Sequence, residues 1–339
     1  MGTKLGDIIE AETVTLEALS GRKLAVDAFN TIYQFLAKIR QPDGTPLMDR
    51  KGRVTSHLSG LFYRNINLLM NGIRPVYVFD GESPDLKQDE IERRREIRRT
   101  ARAEWKRAKE EGRIEDARKA AQASSRLTDS MVQESKELLT ALGIPVYQAP
   151  SEGEALAAQM AREKRVWGSA SQDNDSLLYN CPRMIRNLSI TGQRRGSRTV
   201  NPEVIDLNLN LRLLKITREQ LVDIAILVGT DYNDKIPGIG PKTALKLIRK
   251  HGDLEQASKE KGFEIDFPYE RIREIFLNPP EVDIEDPVWE EPDSERIYKI
   301  LCTGHDFSES RITSSLGRLH DALEELRELK QQSTLTDFF

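Results

Sequence analysis

The sequence is poor in the residues that form disulfide frameworks and zinc sites. Its 339 residues include two cysteines and four histidines, and none of these has the spacing of a zinc-binding motif. No apolar run approaches the roughly 20 residues that span a bilayer, and the N-terminus has no signal-peptide pattern. These absences predict an intracellular protein, in the reducing cytoplasm or at the nucleoid, that does not enter a membrane.

An excess of one sign of charge is also missing, because 51 Lys and Arg residues stand against 55 Asp and Glu residues. The formal net charge is -4. The charges are nevertheless segregated along the chain. Residues 93–107 contain eight basic and two acidic side chains, whereas residues 281–293 contain seven acidic side chains and no basic one. A basic stretch of this kind is a candidate nucleic-acid contact even in a slightly acidic chain.

Short apolar runs separated by helical patterns predict the fold class. Such runs are typical of buried strands. Their alternation with helices indicates an α/β fold with a doubly wound, mostly parallel sheet. The predicted strands are Lys23–Asp27, Pro75–Asp80, Ile144–Gln148, Gly168–Asp173 and Met184–Leu188.

Two parts of the chain depart from this alternation. Residues 87–125 favour helix and are heavily charged, so they have little to bury and should stand off the body. After residue 217 the chain is predicted to be helical, interrupted by a Pro-rich acidic connector at 278–292. We expect one domain over residues 1–325 and a tail over residues 326–339. The late helices are predicted at Thr217–Val228, Pro241–His251, Tyr269–Leu277, Asp293–Cys302 and Ser314–Lys330.

Acidic residues follow the predicted strands. The carboxyl ends of parallel strands face one edge of a sheet, so acids that come directly after several strands are expected to converge there. One further acid stands at the end of a predicted helix. The candidates are Asp27, Asp80, Glu152, Glu154, Asp173, Asp175 and Asp231.

Taken singly, each acid has an ordinary explanation, because an Asp after a strand is most often a turn residue or a helix cap. Taken together, the seven acids would repel one another unless cations neutralised them. Two carboxylates about 4 Å apart repel by roughly 4 kcal/mol at an effective dielectric constant of about 20. Oxygen ligands without His or Cys select Mg²⁺ or Mn²⁺, and paired ions of this kind suit phosphodiester hydrolysis. Asp173-Asn174-Asp175-Ser176 also resembles a phosphatase motif or a calcium loop, but its preceding strand is polar and its sixth position is Leu178 rather than Gly.

A glycine-rich turn lies between two of the late helices. Gly238 and Gly240 leave the backbone amides at the start of the second helix free to approach a phosphate oxygen. Lys242 and Lys246 follow on that helix. Alone, this would be a plain turn between core helices; beside an acidic cluster and a basic segment, it predicts a helix-hairpin-helix grip on duplex DNA.

At this point the sequence strongly resembles the archaeal flap endonuclease family, within the structure-specific 5′ nucleases. The matching segments extend along nearly the whole chain in the order of the family. They are VDAFNTIYQFL (26–36), TSHLSGLFYR (55–64), PVYVFDG (75–81), APSEGEA (149–155), SQDNDSLL (171–178), LVGTDYN (227–233), GIGPKTALKLI (238–248) and HDFSESR (305–311).

The resemblance implies a PIN-like nuclease fold and a divalent-metal endonuclease with a 5′–3′ exonuclease side activity. It would cut 5′ flaps at branched DNA in replication, including Okazaki fragment processing, and in repair. All seven acids would hold two Mg²⁺ ions, which Mn²⁺ could replace, with Asp173 and Asp175 among the catalytic residues. Lys87 and Arg94 would stabilise the reacting phosphate. Tyr33 would stack on a base, and Gly2 would lie near the active site.

Residues 87–125 resemble the helical arch of the family, past which a single-stranded flap moves, and we call this segment the arch. The tail resembles the peptide that docks on the sliding clamp PCNA, with anchors at Gln332, Leu335, Phe338 and Phe339. Asn174 stands where the family has an aromatic residue, and Asn180 where it has a glycine.

The sequence therefore favours a monomeric flap endonuclease. A related bubble or junction nuclease is the first alternative, although the arch length and the clamp peptide favour flaps. The second is a non-catalytic protein that binds branched DNA and recruits the clamp, against which the intact acid set argues.

Overall fold

The computed structural model describes residues 3–192, 194–195 and 198–336, with the backbone alone for residues 194, 195, 198 and 330–336. Three residues predicted to bind DNA or the clamp, Gly2, Phe338 and Phe339, lie outside the described residues. The side chains of Gln332 and Leu335 lie outside them as well.

A seven-stranded, mostly parallel sheet forms the centre of the molecule, as predicted. Five central strands run parallel in the order β6-β5-β2-β3-β4, and an antiparallel pair, β9 and β1, extends the β6 edge. A separate hairpin joins β7 to β8. The strands are β1 Glu12–Thr13, β2 Lys23–Asp27, β3 Arg74–Phe79, β4 Val146–Gln148, β5 Gly168–Ala170, β6 Arg183–Arg186, β7 Arg194–Arg195, β8 Arg198–Thr199 and β9 Glu203–Asp206.

Fourteen α-helices are found in the described residues. They are α1 Ala28–Lys38, α2 Ser56–Met70, α3 Gln88–Glu110, α4 Ile114–Ala123, α5 Asp129–Ala141, α6 Gly153–Arg162, α7 Asp175–Leu178, α8 Leu207–Leu214, α9 Arg218–Val228, α10 Pro241–His251, α11 Leu254–Lys261, α12 Tyr269–Leu277, α13 Ser294–Tyr298 and α14 Glu309–Thr336.

Helices cover both faces of the sheet, so each face has its own apolar core. The alternation of side chains along a strand divides the residues of β2 between the cores: Ala25 packs with α6, α7 and α9, whereas Leu24 and Val26 pack with α1, α2 and α5. The helices α13 and α14 complete the second core. This two-layer burial explains why β2 and β3 contain continuous apolar runs.

The arch consists of α3 and α4, which pack against each other. Only Ala108 of α3 is buried, together with Ala117 and Ala121 of α4. The loop after α1 meets α4 closely, because a Cβ added at Gly44 would lie 2.8 Å from the Cβ of Ala121. The prediction that this segment has little to bury is confirmed.

The helical second half agrees with the sequence in α9, α10 and α12, and differs at the C-terminal end. The helix predicted to start at Ser314 and stop at Lys330 starts at Glu309 and continues to Thr336. The helix predicted over Asp293–Cys302 is a short α-helix followed by a π-helical turn, Lys299–Thr303. Helices α8 and α11 were not predicted.

The acidic connector at 278–292 contains no helix or strand and lies against the amino-terminal side of the sheet. The indole Nε1 of Trp289 donates to the carbonyl of Pro75, at 2.8 Å, and the amide of Glu290 donates to the carbonyl of Gly143. Across the described residues, no helix is long and apolar enough to cross a bilayer.

One buried acid in the helical half offers a test of the packing. Asp223 of α9 is 1% exposed, and the Nε of Arg273 lies 3.1 Å from its Oδ1. Burial raises the pKa of Asp223 to about 6 even though Arg273 acts in the opposite direction. A raised pKa in the folded state means that the folded protein binds this proton more tightly than the unfolded chain does. The stability that comes from Asp223 is therefore present below about pH 4 and is lost as the pH rises through about 6.

We predict that Asp223→Asn becomes more stable relative to the wild type as the pH rises from 4.5 to 7. The difference in the free energy of unfolding should change by about 2 kcal/mol in favour of the variant. Denaturant unfolding of both proteins at several pH values measures this difference. The contributions of ionisable groups that the two proteins share cancel when their free energies of unfolding are subtracted. A difference that stays constant with pH would show that Asp223 titrates alike in the folded and unfolded chains.

Candidate active site

The predicted acids meet at the carboxyl edge of four neighbouring strands. Asp27 is the last residue of β2, Asp80 follows β3, and Asp173 and Asp175 follow β5. Glu152 and Glu154 begin α6, after β4. Because β5, β2, β3 and β4 are adjacent in the sheet, their ends bring these residues to one place.

Two of the acids also serve as local structural residues. Asp27 caps α1 by accepting a hydrogen bond from the amide of Asn30 at 3.0 Å, and Asp175 lies in the first turn of α7. Asp27 is therefore a helix cap, as its ordinary explanation states, and it is also one of the acids at this edge of the sheet.

Neutral donors connect the acids, and sequence reasoning missed them. The hydroxyl of Ser171 donates to Glu154 Oε1 at 2.8 Å and lies 3.4 Å from Asp27 Oδ2. The amide Nδ2 of Asn30 donates to Asp173 Oδ2 at 3.0 Å. Both donors lie within three residues of a predicted acid, and this spacing was the only sequence signal for them.

Backbone amides hold two further acids. Asp80 Oδ1 accepts from the amide of Gly153 at 2.7 Å, and a Cβ on that glycine would lie 2.7 Å from the same oxygen. Asp175 Oδ1 accepts from the amide of Thr3 at 2.8 Å. The N-terminal segment therefore reaches the acidic edge.

The two asparagines that depart from the family resemblance both have a local structural function. Asn174 is buried, and its Nδ2 donates to the carbonyl of Thr3 at 2.8 Å. Asn180 has a positive φ of 63°, a conformation that asparagine tolerates better than most side chains and that commonly ends a helix. It is the second residue after the end of α7.

The base of the arch supplies the cations. Lys87 Nζ lies 2.6 Å from Glu152 Oε2 and 3.4 Å from Asp231 Oδ2. Arg94 NH2 lies 2.7 Å from Asp231 Oδ1, and its Nε lies 2.6 Å from Glu90. The predicted residues Lys87, Arg94 and Asp231 are thus brought to the same site, and Glu90 is an addition that the sequence did not indicate.

Burial and mutual repulsion favour the protonated form of three acids at this edge, because they raise the pKa of each. Burial, with the negative charge of Asp80, raises the pKa of Asp27 to about 8. Burial and the charge of Asp231 raise the pKa of Asp175 to about 6. Burial raises the pKa of Glu154 well above its usual value, and the charges of Asp175, Asp27 and Asp173 add to this effect.

Burial and the neighbouring carboxylates also act on Lys87, but on this residue their effects oppose each other. Burial disfavours the ammonium charge of Lys87, but the carboxylates of Glu152 and Asp231 outweigh it and raise the pKa of Lys87. Among the described residues, Lys87 and Arg94 are thus paired with Glu152 and Asp231, over distances of 2.6 to 3.4 Å.

The donor set fits a hard divalent cation, because it consists of carboxylate oxygens without His or Cys. As the side chains stand, no group of three or more His, Cys, Asp or Glu residues in the described parts of the chain is arranged to hold a metal ion. Lys87 and Arg94 engage oxygens of Glu152 and Asp231 instead. Metal binding would therefore require these two carboxylates to exchange a protein cation for an ion.

Tyr33 lies on α1, six residues beyond Asp27, and faces the arch. Its hydroxyl accepts from Arg98 NH1 at 3.0 Å, and the same guanidinium lies 6.0 Å from the centre of the ring. The predicted stacking residue is therefore half-buried beneath α3, with a cation next to it that sequence reasoning did not single out.

The predicted hairpin joins α9 to α10 and is exposed. Gly238 has a φ of +77°, which favours glycine, and no side chain caps α10 at Gly240. Lys242 and Lys246 are exposed on α10. The first turn of α10 thus offers uncapped amides next to basic side chains, a combination that suits a phosphate.

Two family models match the chain, the XPG N-terminal domain over residues 2–101 and the XPG I-region over residues 143–231. Flap endonuclease 1 of Pyrococcus furiosus is 52% identical over 345 residues, covering 100% of this chain and 99% of that protein. Among solved structures, flap endonuclease-1 from Methanococcus jannaschii matches with a TM-score of 0.76 and 41% identity, covering 96% of this chain and 99% of that one. The catalytic core of Rad2 in complex with a DNA substrate matches with a TM-score of 0.72 and 27% identity, covering 94% of this chain and all of that one.

We predict that Lys87→Ala lowers the melting temperature in EDTA and enlarges the rise in melting temperature that Mg²⁺ produces. Removing the ammonium group leaves Glu152 with less compensation, and it also removes a competitor for the ion. About 2 °C of extra rise is expected for each kcal/mol of additional binding free energy.

Arg99→Ala is the matched control, because it removes a positive charge from α3, the helix that Lys87 directly precedes, at an exposed position where the guanidinium pairs with Glu96. It should respond to Mg²⁺ as the wild type does. Equal Mg²⁺ responses in Lys87→Ala and the wild type would separate Lys87 from the metal-binding carboxylates.

Proposed function

The chain belongs to the flap endonuclease family, and we propose that the acidic edge of its sheet holds two Mg²⁺ ions for the hydrolysis of DNA phosphodiesters at 5′ flaps. It is a structure-specific 5′ flap endonuclease, a metal-dependent nuclease of DNA replication and repair. The alternative of a non-catalytic adaptor is not favoured, because relatives named flap endonuclease 1 are about half identical over the full length.

The observation that carries the metal proposal is the cluster of buried and half-buried acids where four parallel strands end. Burial and neighbouring charges raise the pKa of Asp27 to about 8, so these groups are held at a cost that a divalent cation would remove. When bound, the ions would supply an activated water and would neutralise charge on the scissile phosphate. The carboxylates named as their ligands are Asp27, Asp80, Glu152, Glu154, Asp173, Asp175 and Asp231.

Lys87 and Arg94 are the residues of this chain that we assign to the phosphate itself. Both cations extend from the base of the arch into the acidic edge. An ammonium or guanidinium group placed there can hydrogen-bond the phosphate and offset the charge that develops on its oxygens. To reach the phosphate, Lys87 and Arg94 would break their ion pairs with Glu152 and Asp231.

The other contacts position the DNA. The uncapped turn at Gly238 and Gly240, with Lys242 and Lys246, would hold the backbone of a duplex without reading its sequence. The ring of Tyr33 would stack on a base next to the cut. The arch would admit the single-stranded flap, and its basic side chains would follow the phosphates of that strand.

A second proposal concerns the tail. Residues 332–339 carry the spacing of a clamp-docking peptide, and we propose that Gln332, Leu335, Phe338 and Phe339 dock on the sliding clamp PCNA. The backbone of α14 continues to Thr336, so docking would start from the end of a helix rather than from a structureless segment. We further propose that the protein is a monomer that acts at the nucleoid.

Cleavage of labelled substrates tests the proposed function. With Mg²⁺, the wild type should cut a 5′ flap faster than a nicked duplex, a bubble or a Holliday junction, and EDTA should abolish cutting. Asp173→Asn should bind the flap substrate with unchanged affinity and lose at least about 100-fold in single-turnover rate, because it removes one carboxylate from the metal-binding set.

The control is Asp206→Asn, the same change at the cap of α8, where the side chain accepts from Leu209 and an asparagine can do the same. It should cut normally. An Asp173→Asn enzyme that keeps its turnover would remove Asp173 from the metal site, and faster cutting of bubbles or junctions than of flaps would overturn the substrate assignment.

Deletion of residues 332–339 tests the tail. The truncated protein should cut flaps at the basal rate and lose the stimulation that added PCNA gives the full chain, since the anchors of the peptide are removed. Replacement of Phe338 and Phe339 by Ala should give the same result. Undiminished stimulation of either protein would place the clamp contact elsewhere.

A further inference from the structure

Two acids of the site come from elements that are far apart in the sequence, and their charges repel. Asp175 begins α7, and Asp231 follows the end of α9. Residues of α7 and α9 pack in the same apolar core, so the contacts between these two elements set the spacing of the two acids.

A pair of buried tyrosines joins the same two elements. Tyr179 directly follows α7, four residues after Asp175, and Tyr232 directly follows Asp231. Both side chains are buried, and their hydroxyl oxygens are 3.2 Å apart. This hydrogen bond is the direct side-chain link between the segment that carries Asp175 and the segment that carries Asp231.

Both rings are fixed from behind by one aromatic residue. The ring centres of Tyr179 and Tyr232 lie 5.1 and 5.5 Å from that of Phe276, in α12. The backbone adds to this arrangement, because the amide of Tyr179 donates to the carbonyl of Asp175 and that of Tyr232 donates to the hydroxyl of Thr230. The hydroxyl ends of the two rings have little freedom to move apart.

The hydroxyl pair also lies close to the charges of the site. Burial raises the pKa of Tyr232, and the charge of Glu152 adds to the effect while that of Lys87 opposes it. Burial likewise raises the pKa of Tyr179 well above its usual value, with contributions from the charges of Tyr232 and Glu152.

We propose that Tyr179 and Tyr232 form a positioning pair that sets the spacing between Asp175 and Asp231 and thereby the affinity of the site for a divalent cation. The inference rests on the proposed metal-binding function, and it assigns these two residues no contact with DNA. A buried hydrogen bond between neutral groups is worth enough to change the affinity about fivefold when it is lost.

The test compares Tyr179→Phe, Tyr232→Phe and the double variant, all of which keep the ring packing on Phe276 and remove only hydroxyls. Mn²⁺ affinity is measured on the full chain without DNA, by the paramagnetic resonance signal of free Mn²⁺. The Mg²⁺ midpoint of flap cleavage is measured separately. Each single variant should bind Mn²⁺ about fivefold more weakly, with a higher Mg²⁺ midpoint and a near-normal rate at saturating Mg²⁺.

The double variant should bind Mn²⁺ no more weakly than either single variant, because all three lack the same bond. Tyr77→Phe is the control. Tyr77 is a fully buried tyrosine in the core on the other face of the sheet, and its hydroxyl accepts from Asn65 at 3.1 Å. The Tyr77→Phe variant should be less stable than the wild type and should bind Mn²⁺ with unchanged affinity.

Several results would overturn the inference. Wild-type Mn²⁺ affinity in both single variants would do so, as would an equal loss in Tyr77→Phe or additive losses in the double variant. A wild-type chain that binds no Mn²⁺ and cuts no flap would instead refute the proposed function, so the two failures are distinguishable.

Discussion

Repulsion among buried carboxylates is the constraint on which the rest of the structure depends. Seven acids are gathered where four parallel strands end, and burial makes their charges cost more than they would in water. Several contacts of the site reduce that cost. The amides of Thr3 and Gly153, the side chains of Asn30 and Ser171, and the two cations of the arch are all directed at carboxylate oxygens.

The arch illustrates how one set of charges can serve two purposes. Helix α3 buries a single alanine, so apolar packing cannot hold it against the body. Its base is held instead by ion pairs from Lys87 and Arg94 to acids of the site. The ion pairs at the base of the arch thus also place cations beside the acids, and binding of an ion or a phosphate would act on both at once. This coupling connects the position of the arch to the occupancy of the site.

The sequence predicted the parallel strands well and the peripheral elements poorly, for physical reasons. Strand β2 is bounded by the predicted residues, because a strand buried on both faces must be continuously apolar. Strands β1 and β9, which extend one end of the sheet, are short. Because β1 is exposed and β9 is mostly half-buried, they leave no such signature. The sequence of α8, LNLNLRLL, alternates in a way that suits a strand as well as a helix. Helix α14 extends beyond its predicted ends on both sides, since its early and late turns carry few apolar residues.

By itself, the sequence determined which acids stand at strand ends, and topology requires those ends to share an edge. Asp27, Asp80 and Asp173 could therefore be found without coordinates. Only the tertiary structure decided what faces them, since Ser171, Asn30 and Thr3 carry no signature of their own. The same holds for the pairing of Tyr179 with Tyr232, residues 53 positions apart that meet because α7 and the end of α9 pack against one phenylalanine. Periodicity in a chain records which face is buried, whereas distances between groups on different elements follow from how those faces pack.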